Sequence, residues 1–164
     1  MTRSTLHITA WLAPFALAGA ATFVVFAQRP SPSASATTGR DWAVSGSDAA
    51  NTRYSPLKEI TRDNVAHLEV AWQYDPGDDA RGGLQTTPLI VDGVVYAETA
   101  GGRLIALDGA TGVLKWSWSS DTHGQACRGI TYWTDGRERR ILAGFGRYVY
   151  AIDPATGQPI PSFG

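Results

Sequence analysis

The chain has 164 residues, and its 18 Gly, 6 Trp and 6 Tyr favour β-strands joined by tight turns, so we expect an all-β fold. Its formal net charge is -1, with 14 basic and 15 acidic residues scattered along the sequence, which excludes the electrostatic footprint of a nucleic-acid-binding protein. The only cysteine, Cys127, excludes an internal disulfide and a paired-cysteine metal site, so we assign it no role.

Residues 1–27 have the pattern of a signal peptide or of an N-terminal membrane anchor. Arg3 precedes an uncharged, mostly apolar stretch over residues 8–27, and small residues suited to a signal peptidase end at Ala27 and again at Ala36. The apolar stretch is also about long enough to span a bilayer, so cleavage and retention as an anchor helix both stay open. Either outcome predicts that the remainder of the chain is exported from the cytoplasm.

Residues 28–40 are rich in Ser, Thr, Pro and Ala and have almost no bulky apolar side chains. A segment of this composition cannot bury enough apolar surface to offset the entropy lost when a chain becomes ordered. We therefore expect a disordered linker here, followed by a folded part over residues 41–164.

The segment 41–74 predicts one short helix and one strand. Thr61 is a residue type that caps helices, and it predicts a helix through about His67. Residues 68–74 follow as an expected strand, in which Trp72 lies 44 residues before Trp116. That separation is close to the length of one propeller repeat.

A repeat with an offset of 45 residues follows, because Ala106–Gly112 recurs as Ala151–Gly157. This period is typical of a four-stranded propeller blade, which packs face to face on its neighbours and cannot bury both of its faces alone. We therefore expect about two blades of four-stranded antiparallel sheet, the first over about 84–118 and the second, which is incomplete, over about 127–164.

The turns of these blades are predicted from their residue types. Asp92-Gly93 and Asp135-Gly136 are hairpin dipeptides, since residues of these types tolerate a positive φ. Asp108 is expected to bond nearby backbone amides, and Gly112 to adopt the left-handed backbone. The expected strands are 88–91, 94–99, 103–107 and 113–118 in the first blade, and 129–133, 140–144 and 147–152 in the second.

Residues 106–116, A-L-D-G-A-T-G-V-L-K-W, resemble the tryptophan-docking motif A-x-D-x-x-T-G-x-x-x-W of quinoprotein dehydrogenases. The segment 41–74 is similar to the N-terminal strap of the same family, through Asp41-Trp42, Thr52–Leu57 and Trp72. The resemblance implies part of an eight-bladed β-propeller in which Trp116 is a structural wedge between adjacent blades. The second copy departs from the motif, because Pro161 stands where Trp116 stood.

The resemblance also implies a cofactor, pyrroloquinoline quinone (PQQ), a planar ortho-quinone with three carboxylates. Arg128, in C-R-G-I-T-Y-W, resembles an arginine that contacts this cofactor, and a guanidinium suits a carboxylate. Gln85 falls where many relatives have a glutamate that bonds the cofactor. His123 lies near the place where sugar-oxidising relatives have a histidine, whereas alcohol-oxidising ones have a vicinal cysteine pair, which the lone Cys127 cannot form.

The function implied is calcium-assisted oxidation of a sugar such as glucose, or of an alcohol, in the periplasm, with electrons passed to ubiquinone or a cytochrome. The calcium ligands and the catalytic base are expected downstream, so we assign no catalytic or metal-binding residue here and expect the isolated chain to be inactive without the missing blades. A non-enzymatic propeller scaffold of the cell envelope is the alternative. An inactive remnant is a third reading, because an open two-blade stack would expose sheet edges and apolar faces.

Overall fold

The computed structural model describes residues 40–78, 85–121 and 129–164. The fold is all-β, as predicted, and consists of one four-stranded and one three-stranded antiparallel sheet. The predicted leader over residues 1–27 and nearly all of the linker lie outside the described residues. Within the described ranges, no helix combines the length and the apolar character needed to cross a bilayer.

The first sheet, sheet A, is a meander of four strands that neighbour each other in chain order. The tight turn between the first two strands has φ angles of 51° at Asp92 and 75° at Gly93, the positive values that its hairpin dipeptide predicts. The strands are β1 Leu89–Val91, β2 Val94–Glu98, β3 Arg103–Asp108 and β4 Leu114–Ser119.

The second sheet, sheet B, contains β5 Thr131–Thr134, β6 Arg139–Phe145 and β7 Tyr148–Ile152. The position of a fourth strand, where none was predicted, holds one isolated bridge between Ile152 and Pro159. Pro159 and Pro161 have no N–H to donate, so a regular ladder cannot continue through these positions.

The core lies between the two sheets. In sheet A, β2 and β3 contribute Tyr96, Leu104 and Ala106 to it, and these side chains lie within the same buried cluster as Ile141 and Phe145 of sheet B. Trp118 meets the ring of Phe145 edge-on, with 5.3 Å between ring centroids. Burying one such large apolar side chain stabilises a fold by roughly 1.5–3 kcal/mol, so this interface accounts for much of the cohesion between the sheets.

The strap differs from the prediction in two places. Its helix is a single 3-10 turn, Val65–His67, and the Thr61 side chain does not cap it. Instead, the Asn64 side chain accepts a hydrogen bond from the backbone N–H of Thr61 at 2.7 Å. Residues 68–74 join no described sheet, because no described strand lies alongside them to form a ladder. Trp42 does pair with a strand, exchanging both backbone hydrogen bonds with Ile90 of β1.

Candidate functional site

The two sheets are joined by a tryptophan that lies on a glycine. Trp116, on β4, donates its indole N–H to the carbonyl oxygen of Pro154 at 2.9 Å. A Cβ built on Gly157 would come within 2.6 Å of Cδ2 of that indole, so only a glycine leaves room for the ring. Tyr96 donates to the same Pro154 carbonyl at 3.3 Å. Sheet A therefore holds the final turn of sheet B through one shared acceptor.

The same arrangement occurs one repeat earlier. Trp72 donates its indole N–H to the carbonyl of Gly109 at 3.0 Å, and a Cβ on Gly112 would come within 2.6 Å of its Cδ2. Since Trp116 occupies the outer strand of sheet A, Trp72 occupies the corresponding place on an element that precedes sheet A. The spacing of 44 residues was the sequence signal for this role.

The turn under Trp72 is shaped by Asp108. Its Oδ1 accepts hydrogen bonds from the amides of Ala110 and Thr111 and from the Thr111 hydroxyl, at 3.1, 3.0 and 2.8 Å. These hydrogen bonds, the Thr111 hydroxyl first among them, lower the pKa of Asp108. Gly112 closes the turn with a φ of 71°. Asp108 and Gly112 thus form the turn on which Trp72 docks, and their role is structural.

The segments that lead into the first strands of the two sheets come close together. The lead-in to β1 is residues 85–88, and the lead-in to β5 is residues 129–130. A Cβ on Gly129 would lie 4.0 Å from Cβ of Thr87, an ordinary van der Waals contact. Gln85, the predicted cofactor-binding amide, is exposed in the first of these segments.

Thr86 is a polar group suited to a ligand in the same lead-in. Its Oγ1 is buried and has no hydrogen-bond partner among the described residues. A buried hydroxyl without a partner is unfavourable, so a ligand oxygen reaching this position would satisfy it. The amide of Gln85 and the hydroxyl of Thr86 are neutral donors, which fit the carboxylate and carbonyl oxygens of PQQ.

The other predicted cofactor residues cannot be placed. Arg128, His123 and the unassigned Cys127 all lie outside the described residues. Gly129, which follows Arg128 in the chain, is described, and a Cβ built on it would lie 4.0 Å from Cβ of Thr87 in the lead-in to β1. The positive group expected to pair with the cofactor carboxylates therefore stays a prediction from the sequence.

An ion pair between Asp78 and Arg103, called the clamp here, lies at the end of sheet A where the lead-in to β1 lies, and it was not predicted from the sequence. Asp78 accepts hydrogen bonds from Nε and a terminal nitrogen of Arg103 at 3.2 and 2.6 Å, and from the Gly101 amide at 3.0 Å. Burial acts to raise the pKa of Asp78, but hydrogen bonds from Thr99, Arg103 and Gly101 outweigh it and hold that pKa below its usual value. The clamp fixes the chain seven residues before Gln85.

Glu98 was also missed. It closes β2, faces sheet B and has no exposed surface at all. A charged residue in an inward position of a strand is the signal that sequence reasoning could have used, because buried carboxylates are rare unless they have a partner.

Two further features of the described residues do not extend the site. Residues 40–78, 85–121 and 129–164 contain no group of three or more His, Cys, Asp or Glu that could hold a metal ion. A pocket of about 410 Å³ lies at the opposite end of sheet B, between the β5–β6 turn and the final turn, and includes none of the predicted cofactor residues. Its lining mixes both charges: Arg137, Glu138, Arg139, Arg140, Asp153, Pro154, Ala155, Ile160 and Ser162.

Comparison with known proteins agrees with this geometry. Residues 42–164 match the family described as PQQ: glucose/ethanol/alcohol dehydrogenase, β-propeller domain. The dehydrogenase subunit of alcohol dehydrogenase (quinone) from Gluconobacter oxydans is 38% identical over 129 residues, 68% of this chain and 17% of that protein. The glycerol dehydrogenase large subunit of Gluconobacter thailandicus is 35% identical over 158 residues, 84% of this chain and 21% of that protein.

A solved structure shows the same arrangement of strands. Quinohemoprotein alcohol dehydrogenase ADHIIG from Pseudomonas putida superposes with a TM-score of 0.65 at 30% identity, over 74% of this chain and 18% of that one. The chain thus spans about a fifth of the length of the curated relatives it matches.

Proposed function

The chain belongs to the PQQ-dependent glucose/ethanol/alcohol dehydrogenase family of β-propellers, and on this premise we propose that it forms the N-terminal part of an enzyme that oxidises an alcohol or polyol. The observation that carries the proposal is the family match over residues 42–164, together with the two tryptophan docks that repeat at the family's spacing.

Further blades are the first partner that the proposal requires. Leu104 of β3 is 0% exposed because sheet B covers it, whereas Val149, one repeat later on β7, is 61% exposed. The equivalent position on sheet B is therefore apolar and uncovered in the described part of the chain. A third blade packed on that face would bury Val149 as sheet B buries Leu104, and the greater length of the relatives supports such a continuation.

The cofactor is PQQ, and we propose that the lead-in segments of the blades hold it. The Gln85 amide and the Thr86 hydroxyl would donate to its oxygens, and the Arg128 guanidinium would pair with a carboxylate. We retain His123 as a residue near one cofactor face. A glutamine in place of a glutamate keeps hydrogen bonding at position 85 and removes a negative charge that would face an anionic ligand.

When bound, PQQ would supply the two-electron oxidant of the reaction, which takes up a hydride from the substrate carbon while the hydroxyl proton passes to a base. The residues of this chain would bind and orient the cofactor. The base and the calcium ion expected from the sequence would come from the remainder of the enzyme. This chain's contribution is one part of the wall around the cofactor.

The substrate class and the electron acceptor follow from the relatives by analogy only. The names of the two relatives indicate alcohol and glycerol as substrates, and one of them indicates a quinone acceptor. A sugar such as glucose is the second candidate, favoured by His123. We propose ubiquinone or a cytochrome as acceptor, and a periplasmic location with residues 8–27 as signal or anchor.

The proposal is tested by dye reduction with the full product of the gene, after loading with PQQ and Ca²⁺. We expect PQQ-dependent reduction with ethanol or glycerol, and glucose is included to separate the two substrate classes. Residues 41–164 expressed alone should show none, because the cofactor wall is incomplete. A folded full-length product that neither binds PQQ nor reduces the dye with any of the three would support the scaffold alternative.

A further inference from the structure

Glu98 is a buried acid that the blade fold does not require. It pairs with Leu104 across the β2–β3 ladder, and both side chains face sheet B with no exposed surface. In the second repeat, Val149 corresponds to Leu104, and its partner across the ladder is Gly144. The same place in a blade is therefore filled once by a carboxylate and once by no side chain.

Burying a carboxylate is costly unless fixed donors surround it. Glu98 does take part in a polar or electrostatic interaction within the chain, so its carboxylate is not an isolated charge. A carboxylate is costly to bury, and the second repeat folds without one at the corresponding position. We therefore infer that Glu98 has a function specific to the first blade.

The position of Glu98 indicates what that task is. Leu89 of β1 is paired with Tyr96, so continuing the antiparallel register by two residues would bring Thr87 opposite Glu98. Thr87 is also near Gly129 in the lead-in to β5, since a Cβ built on that glycine would lie 4.0 Å from Cβ of Thr87. Glu98 thus lies where the lead-ins of two successive blades meet.

We propose that Glu98 is a positioning residue of the cofactor site, whose buried carboxylate holds the two lead-in segments in register with each other. This inference rests on the proposed function, since those segments are the ones that would hold PQQ. Glu98 would not touch the cofactor, because its side chain has no exposed surface that a ligand could reach. Its effect would pass through the donors it fixes.

The experiment measures PQQ binding and thermal unfolding in the full product of the gene. Glu98→Gln keeps the size of the side chain and removes its charge, and we expect the Kd for PQQ to rise about tenfold or more. Glu98→Asp keeps the charge and shortens the side chain by one methylene, so its Kd for PQQ should lie between those of the wild type and Glu98→Gln. This milder variant also serves if Glu98→Gln fails to fold.

Leu104→Ala is the matched control, because Leu104 is paired with Glu98, is equally buried and contributes only packing. It should lower the melting temperature and leave the Kd of the folded protein within about twofold of wild type. A Glu98→Gln variant with unchanged Kd, or one whose Kd rises no more than that of Leu104→Ala at equal loss of melting temperature, would overturn the inference. A wild-type product that does not bind PQQ would instead overturn the proposed function.

Discussion

The indole of Trp116 lies so close to Gly157 that a Cβ built on the glycine would come within 2.6 Å of the ring. Trp72 has the same relationship to Gly112, at the same 2.6 Å. In both places the indole N–H is satisfied by a backbone carbonyl of the turn, as a buried indole requires. Successive repeats are therefore joined by a contact that only a glycine can accommodate.

Gly157→Ala should destabilise the contact between the sheets. An alanine at a φ of 71° has backbone strain, and its Cβ must also displace the indole of Trp116. We expect the free energy of unfolding to fall by about 3 kcal/mol, measured by urea denaturation. Gly146→Ala is the control, because Gly146 has a φ of 61° and open space around it; it should cost about 1–2 kcal/mol. Equal losses in the two variants would contradict the contact.

Tyr96→Phe should change how stability depends on alkaline pH. Burial raises the pKa of Tyr96 to about 12 from an ordinary value of 10.0, so the folded state favours the neutral phenol. The resulting stability is fully present below about pH 10 and is lost as pH rises towards about 12. The variant cannot ionise here, so its unfolding free energy should fall less over that window than that of the wild type.

At neutral pH the same variant loses the hydrogen bond from Tyr96 to Pro154, at a cost of about 1 kcal/mol, while Trp116 still satisfies the carbonyl. Parallel pH profiles of wild type and variant between pH 10 and 12 would show that the hydroxyl is not buried in solution.

Asp78→Asn should weaken the fold at neutral pH and not at strongly acidic pH. Burial opposes ionisation of Asp78, but donors from Thr99 and Arg103 overcome it, and the pKa lies below the usual 3.8. A lowered pKa contributes stability above about pH 4, and this contribution disappears as pH falls through the folded-state pKa. We expect a loss of about 1–3 kcal/mol at pH 7.

The measurement for this variant is thermal unfolding across a series of acidic buffers. Asp63→Asn serves as control, since Asp63 is exposed and is 40 residues away in sequence from Arg103. It should unfold as the wild type does at every pH. If Asp78→Asn lowers the melting temperature by the same amount at pH 7 and at pH 2, the ion pair is not the cause of the loss.

Val149→Lys should have opposite effects in two contexts. In residues 41–164 expressed alone, the uncovered face around Val149 should cause self-association, and a lysine should reduce it as judged by light scattering. In the full product of the gene, a further blade would bury that lysine and lower the melting temperature. Val113→Lys is the control, matched in residue type and in exposure, 62% against 61%. It should change neither the light scattering of residues 41–164 nor the melting temperature of the full product. Neutral behaviour of Val149→Lys in the full product would argue against a third blade there.

Sequence alone predicted the elements that follow from local chemistry. The hairpin at Asp92-Gly93, the strands of the first blade and the all-β class all follow from residue type and period, and the structure confirms them. The three strands predicted for the incomplete second blade are also present, and its fourth position holds only a bridge, since Pro159 and Pro161 cannot donate hydrogen bonds. The strand expected over 68–74 has no described neighbour.

The contacts that sequence missed join residues far apart in the chain. Asp78 meets Arg103 across 25 residues, and neither residue type nor spacing distinguishes this pair from any exposed ion pair. Strand alternation indicates that Glu98 faces inward, but its pairing with Leu104 depends on the register in which β2 and β3 meet. Such pairings depend on tertiary structure, and a single sequence contains no direct record of them.

The most direct test of the central claim is a titration of PQQ into the full product of the gene, followed by the absorption of the bound quinone. The account predicts saturable binding at one cofactor per chain, weakened at least about tenfold by Arg128→Ala and more modestly by Gln85→Ala, whose neutral amide contributes less than a charged donor. A folded product that binds no PQQ, or affinity that is unchanged in both variants, would contradict it.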